Sequence, residues 1–334
     1  MTIDLHCHYV PQALADSLRV RRDPPWIERQ EGGGEILHLP VGRLAFHDGY
    51  TDMAARLAFM DRLGIDRQVL SFPGLFGLDS LPVAECGEML AAWNDDVAAL
   101  CARHPDRFAG IAALPLADME AAAREYRRAR TGLGLSGVIL PVNGFVSVAE
   151  AERFRPLLDT VNRLGGHVFI HPGRRPDQAP PPGSRAPEYP FPDNVLARQA
   201  LAVQHDVASA MVTLLLSGFL DPWPMMPVQM ANLGGTLPMV IERIDHAVAL
   251  RDPGTSPPSA RMRRVHVDCS SLGPHAIEIA VATFGADRIL FGTDCPIFST
   301  ERTLAAVAGA RIGDKARRAL LSGNAGALLA RVRV

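Results

Sequence analysis

Short β-branched runs alternate with Ala/Leu/Arg-rich helical stretches about eight times along these 334 residues, and that alternation constrains the fold more than any single motif. Strands are expected near 2–8, 67–72, 108–114, 137–141, 167–171, 228–231, 265–268 and 289–294. Helices are expected near 52–63, 82–103, 118–130, 148–164, 194–217, 238–250, 274–284 and 301–329, the last broken around Gly313. Strands separated by one helix pair in parallel, and eight βα units close into a (β/α)8 barrel. An open doubly wound sheet is the alternative, but no Gly-x-Gly-x-x-Gly follows the first strand to support it. The expectation is therefore a single α/β domain, a TIM barrel over residues 1–334.

Two segments interrupt the alternation. Residues 9–50 run through Gly32-Gly33-Gly34 into an apolar stretch that reads as a small β-hairpin inserted after the first strand. Residues 172–193 form a proline-rich loop carrying Arg174, Arg175 and Arg185. Both leave the C-terminal ends of strands, where barrel enzymes build their sites.

Composition narrows the partner. A net charge of −2 provides no field to gather nucleic acid or an anionic membrane, so a small molecule is expected. Five scattered cysteines make neither a Cys-x-x-Cys motif nor a disulfide framework, which fits a reducing cytoplasm. The N-terminus lacks the pattern of a signal peptide, and no uninterrupted apolar run approaches the ~18 residues of a membrane span.

The polar residues at the expected strand ends then form a pattern. Strand one ends in His6 and His8, whose rings project to the same side because strand side chains alternate. Strand five ends in His171 and strand eight in Asp294. Each alone fits a structural role as well as a ligand, but three imidazoles and a carboxylate at one barrel mouth suit a single divalent metal ion. Zn²⁺ is the first choice and Mn²⁺ the second.

The motifs Asp4-Leu5-His6-Cys7-His8-Tyr9-Val10-Pro11, Pro105-Asp106-Arg107-Phe108-Ala109-Gly110, His171-Pro172, Gly234-Gly235-Thr236-Leu237-Pro238 and Gly292-Thr293-Asp294-Cys295-Pro296 make a specific set. The chain resembles the amidohydrolase superfamily over nearly its whole length. Within it, the likeness is to the amidohydrolase-2 branch of aminocarboxymuconate-semialdehyde, resorcylate and carboxyvanillate decarboxylases. The resemblance implies that His6, His8, His171 and Asp294 ligate one metal ion. Binuclear relatives bridge two ions with a strand-four lysine; the single lysine here, Lys315, is far from strand four.

One departure bears on mechanism. The branch usually carries a histidine before the strand-six Gly-Gly, where this chain has Asn232. An amide hydrogen-bonds but takes up no proton near neutral pH, so Asn232 is a catalytic candidate for positioning rather than base chemistry. Substitute shuttles, in falling order, are His275, Asp268, His47 and His205. Arg43 and then Arg174 or Arg175 are candidates for the substrate carboxylate, and Tyr9 for substrate contact. By resemblance, Arg243 reaches a neighbouring subunit's site, which implies a homodimer. The expected activity is nonoxidative decarboxylation of a small carboxylated cyclic or unsaturated compound. Metal-assisted hydrolysis or hydration of a lactone or C–C bond, or metal-stabilised binding without turnover, are the alternatives.

Overall fold

The computed structural model describes residues 1–40, 42–178 and 193–332. Strand β1 (Ile3–His8) is buried along its whole length, as a parallel strand covered on both faces must be. The insertion follows, with helix Gln12–Val20 and the strands β2 (Trp26–Arg29), β3 (Glu35–His38) and β4 (Arg43–Phe46). The expected hairpin is β3–β4, and β2 adds a third antiparallel strand to it. The remaining barrel strands are β5 (Arg67–Ser71), β6 (Phe108–Gly110), β7 (Gly137–Pro141), β8 (His167–His171), β9 (Val228–Met230), β10 (His266–Asp268) and β11 (Ile289–Leu290).

These strands pair in parallel as β1-β5-β6 and β11-β10-β9-β8-β7. Two isolated bridges, Cys7 with Cys295 and Ala112 with Val138, join the sheets into a closed ring. The Leu5 amide donates to the Phe291 carbonyl at 2.9 Å and the Ala112 amide to Gly137 at 2.8 Å. The fold is a (β/α)8 barrel.

Two strands end earlier than their sequence suggests. The run expected to reach Leu114 ends as a regular strand at Gly110, keeps a single bridge at Ala112, and stops at Ala113, whose amide donates to the buried Asn94 side chain and whose carbonyl accepts from it. The run expected to reach Asp294 leaves after Leu290, and the Thr293 and Asp294 amides both turn onto the His6 carbonyl.

The helices form the outer layer. Helix Val83–Arg103 buries Cys86, Leu90, Trp93, Asn94, Val97 and Leu100, the three-and-four spacing of one face against a sheet. The last helical stretch is broken near Gly313, as expected, into Thr300–Gly309 and Asp314–Arg318, then continues to Asn324–Val332. The helical stretch Val195–Leu216 does have the length and apolarity to cross a membrane, with 22 residues and mean hydropathy 1.2, although the sequence shows no uninterrupted apolar run of that length. It carries Arg198, His205 and Asp206 and occupies the place of the helix that follows the fifth barrel strand, so we read it as a barrel helix.

Candidate metal centre

The strand ends bring His6, His8, His171 and Asp294 together, all buried, with one ligand atom of each within 4.8 Å of every other. His6 and His8 point inward from β1, His171 stands at the end of β8, and Asp294 lies just beyond β11. Gly292 permits the approach, since a Cβ there would sit 2.7 Å from the His6 Cβ and 2.9 Å from that of Asp268. Asp294 has φ 60° and Asn232 φ 55°, a left-handed region that Asp and Asn tolerate better than most residues. Leu233 shares it at φ 52° with no such tolerance, which is local strain beside the site.

Each ligand on β1 is oriented from behind. His6 Nδ1 lies 3.0 Å from Asp268 Oδ1, and His8 Nδ1 lies 3.1 Å from the Ser71 hydroxyl. That leaves Nε2 of both rings facing the centre without a hydrogen-bond partner; Asp294 Oδ1 and both His171 nitrogens, one of which faces the centre, also lack one. Asp294 Oδ1 is 3.1 Å from His8 Nε2 and 3.6 Å from His6 Nε2. The first distance suits a hydrogen bond, but its direction does not, so we count the atoms as converging rather than paired.

Buried polar atoms without partners are costly, and here four residues turn one such atom each toward the others. Burial opposes a charge on His6, yet the Asp268 and Asp294 carboxylates overcome it and raise its pKa to about 9. Burial also works against the Asp294 carboxylate, but His6 and His8 hold its pKa below the usual range. Burial keeps His171 neutral, far below its ordinary value, with His8 and His6 adding to the effect. The cluster thus calls for a positive charge and offers three nitrogens and one oxygen to receive it. A divalent ion fits this donor set.

Asp4 braces the same strands from below. Its carboxylate accepts from the His6 and Thr293 amides, the Thr293 hydroxyl and Gln68. Burial, only partly offset by these bonds, pushes its pKa to about 6.

Other sequence candidates fall in different places. Asn232 lies just past β9, 5% exposed, with Oδ1 accepting from Ser270 Oγ at 2.7 Å. His275 must be withdrawn as a proton shuttle: it sits on the outer surface at the start of helix Pro274–Phe284, its side chain 82% exposed, 3.4 Å from Glu278. Asp268 is committed to His6 and Gln229, while His47 and His205 are exposed. Tyr9, one residue past β1, also turns away from the centre, and its hydroxyl donates to Asp96 at 2.7 Å. Arg43 is exposed on β4, and Arg243 is exposed on helix Leu237–Arg251. Arg175 is engaged by Asp177, Glu150 and the Asn143 carbonyl. Arg174, three residues past His171, is half-buried, and burial lowers its pKa. Arg185 and most of the proline-rich loop lie outside the described residues. Lys315 is exposed beyond the eighth barrel strand, and β7 offers Val138, Ile139 and Leu140 instead of a bridging lysine.

Sequence reasoning missed Ser71, Gln229 and Ser270. Their signal was weak, since each stands at or within two residues of a barrel strand but pairs with the neighbouring strand or its end, through a residue distant in sequence.

Comparison with known proteins identifies the family. The amidohydrolase family model matches residues 3–331. The chain belongs to that family. This amidohydrolase is 32% identical over 259 residues to a gamma-resorcylate decarboxylase of Rhizobium radiobacter, covering 72% of this chain and 76% of the relative. It is 24% identical over 305 residues to the 2-amino-3-carboxymuconate-6-semialdehyde decarboxylase of Dictyostelium discoideum, covering 89% and 82%. Its fold matches a dihydroxybenzoic acid decarboxylase from Polaromonas sp. JS666, solved with manganese and the inhibitor 2-nitroresorcinol. The TM-score is 0.71 at 22% identity, with 100% of this chain and 98% of the other covered.

Proposed function

We propose that this amidohydrolase is a metal-dependent nonoxidative decarboxylase of a small carboxylated aromatic or unsaturated acid. The observation that carries this reading is the convergence of His6, His8, His171 and Asp294 at the barrel mouth, in a chain whose relatives are named decarboxylases. Those four residues would hold the ion. We favour Zn²⁺ because three of the four donors are imidazoles; the manganese in the Polaromonas structure makes Mn²⁺ the second choice. Such an ion supplies positive charge for a substrate oxygen.

The remaining work falls to the chain. A proton adds to the carbon bearing the carboxylate, the C–C bond breaks with its electron pair returned to the substrate, and CO₂ leaves. Nothing is oxidised or reduced overall. We assign the proton transfer to Asp294, which is ionised and so first takes a proton from water or a substrate hydroxyl and then delivers it to that carbon: at 6% exposed it is more open than His6, His8 or His171, none above 1%, so an entering molecule meets it first. Arg174 is assigned to the substrate carboxylate, because it lies three residues past His171 and burial makes a carboxylate partner favourable. Arg43 and Tyr9 drop out of this assignment. Arg243 lies on an outer helix with Met239 and Val240 exposed nearby, which supports a homodimer built on that face. The five free cysteines support a cytoplasmic setting.

The test is CO₂ release from 2,6-dihydroxybenzoate and a panel of hydroxybenzoates and muconate-like acids, with protein loaded with Zn²⁺ or Mn²⁺. Turnover of at least one acid is expected, with loss of about 10²–10⁴-fold in Asp294→Asn. Folded, metal-loaded protein that releases no CO₂ from any of them would sink the reading.

A further inference from the structure

We propose that Asn232 is a fixed hydrogen-bond donor to an anionic substrate oxygen, aimed by the hydroxyl of Ser270. The inference rests on the decarboxylase reading for the kind of substrate and on the structure for the donor.

Ser270 has no exposed surface, so its single hydroxyl proton needs a protein acceptor. Asn232 Oδ1, at 2.7 Å, is that acceptor. With the oxygen engaged, the amide cannot turn over without leaving the Ser270 proton unpaired. Nδ2 is therefore the free end, and it makes no hydrogen bond among the described residues. Nor is it one of the enclosed atoms without a partner, so it is open to whatever enters the mouth.

The backbone reinforces the aim. The Asn232 and Ser270 amides point at the same carboxylate oxygen, Asp268 Oδ1, at 3.4 and 3.2 Å. That oxygen also contacts His6 Nδ1 at 3.0 Å. One carboxylate thus sets the position of a metal ligand and of the Asn232–Ser270 pair together.

A donor that cannot ionise fits one kind of partner. It stabilises an oxygen that carries negative charge, such as the phenolate or enolate flanking the carboxylate to be lost, and it neither takes nor gives a proton. Asn232 would be a catalytic residue by touching substrate, and Ser270 a positioning residue.

The probe is 2-nitroresorcinol, whose ionised phenol absorbs in the visible, so its bound spectrum reports charge on the oxygen independently of turnover. It would be titrated into Mn²⁺-loaded wild type, Asn232→Ala, Asn232→Asp and Ser270→Ala, with metal content measured on each. We expect wild type to bind the phenolate and Asn232→Ala to weaken binding about 10- to 100-fold, the value of a hydrogen bond to a charged group. Asn232→Asp should bind more weakly still and shift the bound spectrum toward the neutral phenol. Ser270→Ala should weaken binding less, with metal retained throughout. An unchanged affinity and spectrum in metal-loaded Asn232→Ala, or no binding by wild type, would overturn the donor role; an unchanged Ser270→Ala would overturn the aiming. If the binding results hold while no acid yields CO₂, the donor stands and only the decarboxylase reading falls.

Discussion

Strand β8 carries a buried histidine at each end, and the two do opposite things. At the floor of the barrel, His167 Nε2 meets Gln229 Oε1 at 3.1 Å, and Gln229 in turn donates to the Leu5 carbonyl and to Asp268. At the mouth, His171 finds no hydrogen bond and faces the ligand atoms of His6, His8 and Asp294. Both rings are held neutral by burial, and both leave Nδ1 without a partner. A lone unpartnered nitrogen therefore does not mark a metal site. What marks it is several such atoms turned toward one point, with carboxylates supplying the negative charge that a cation neutralises. The floor is a structural network, and the mouth is a binding network built on the same strand.

The comparison breaks most sharply at the mouth. In His8→Ala, metal content should fall from about one ion per chain to background by elemental analysis. The metal-free variant should unfold no more easily than metal-free wild type. A variant that keeps its metal would remove the distinction between the two ends.

The floor should report through acid instead. Burial holds the folded-state pKa of His167 at about 4 against an ordinary value of 6.5, with Gln229 offsetting only part of the effect. A depressed histidine contributes stability that is complete above pH 6.5 and is lost as the pH falls toward 4. Its share is roughly 3 kcal/mol. Denaturant midpoints between pH 7 and 4 should therefore fall less steeply in His167→Gln than in wild type. His266, also depressed to about 4 by burial and by Arg288, would keep a residual slope. Parallel profiles would show that His167 titrates normally.

Asp268 sharpens the contrast, because it joins the floor network to the mouth through Gln229 on one oxygen and His6 on the other. Asp268→Asn should preserve the fold while weakening metal affinity about 10- to 100-fold in competition with a chelator. An unchanged affinity would show that His6 is oriented by packing alone.

Much of this was legible beforehand for physical reasons. Each of the eight barrel strands lies where a β-branched run was expected, because parallel barrel strands are buried on both faces and write continuous apolar runs into the chain. The side to which His6 and His8 point follows from strand alternation. The early ends of β6 and β11 were not legible, because Asn94 and the His6 carbonyl reach them from other elements. His275 and Tyr9 misled for a related reason. Nearness in sequence to a ligand or a strand says little about direction, and one residue's step along a strand, or the first turn of a helix, sends a side chain outward.

The sequence by itself therefore determined the barrel and the residue types at its mouth, since burial patterns and strand periodicity are local properties of the chain. Only the tertiary structure decided which nitrogens lack partners, that Ser270 holds the Asn232 oxygen, and that one Asp268 carboxylate serves both ends of the barrel. Those facts depend on closing contacts between residues 38 to 262 positions apart, which no local pattern encodes.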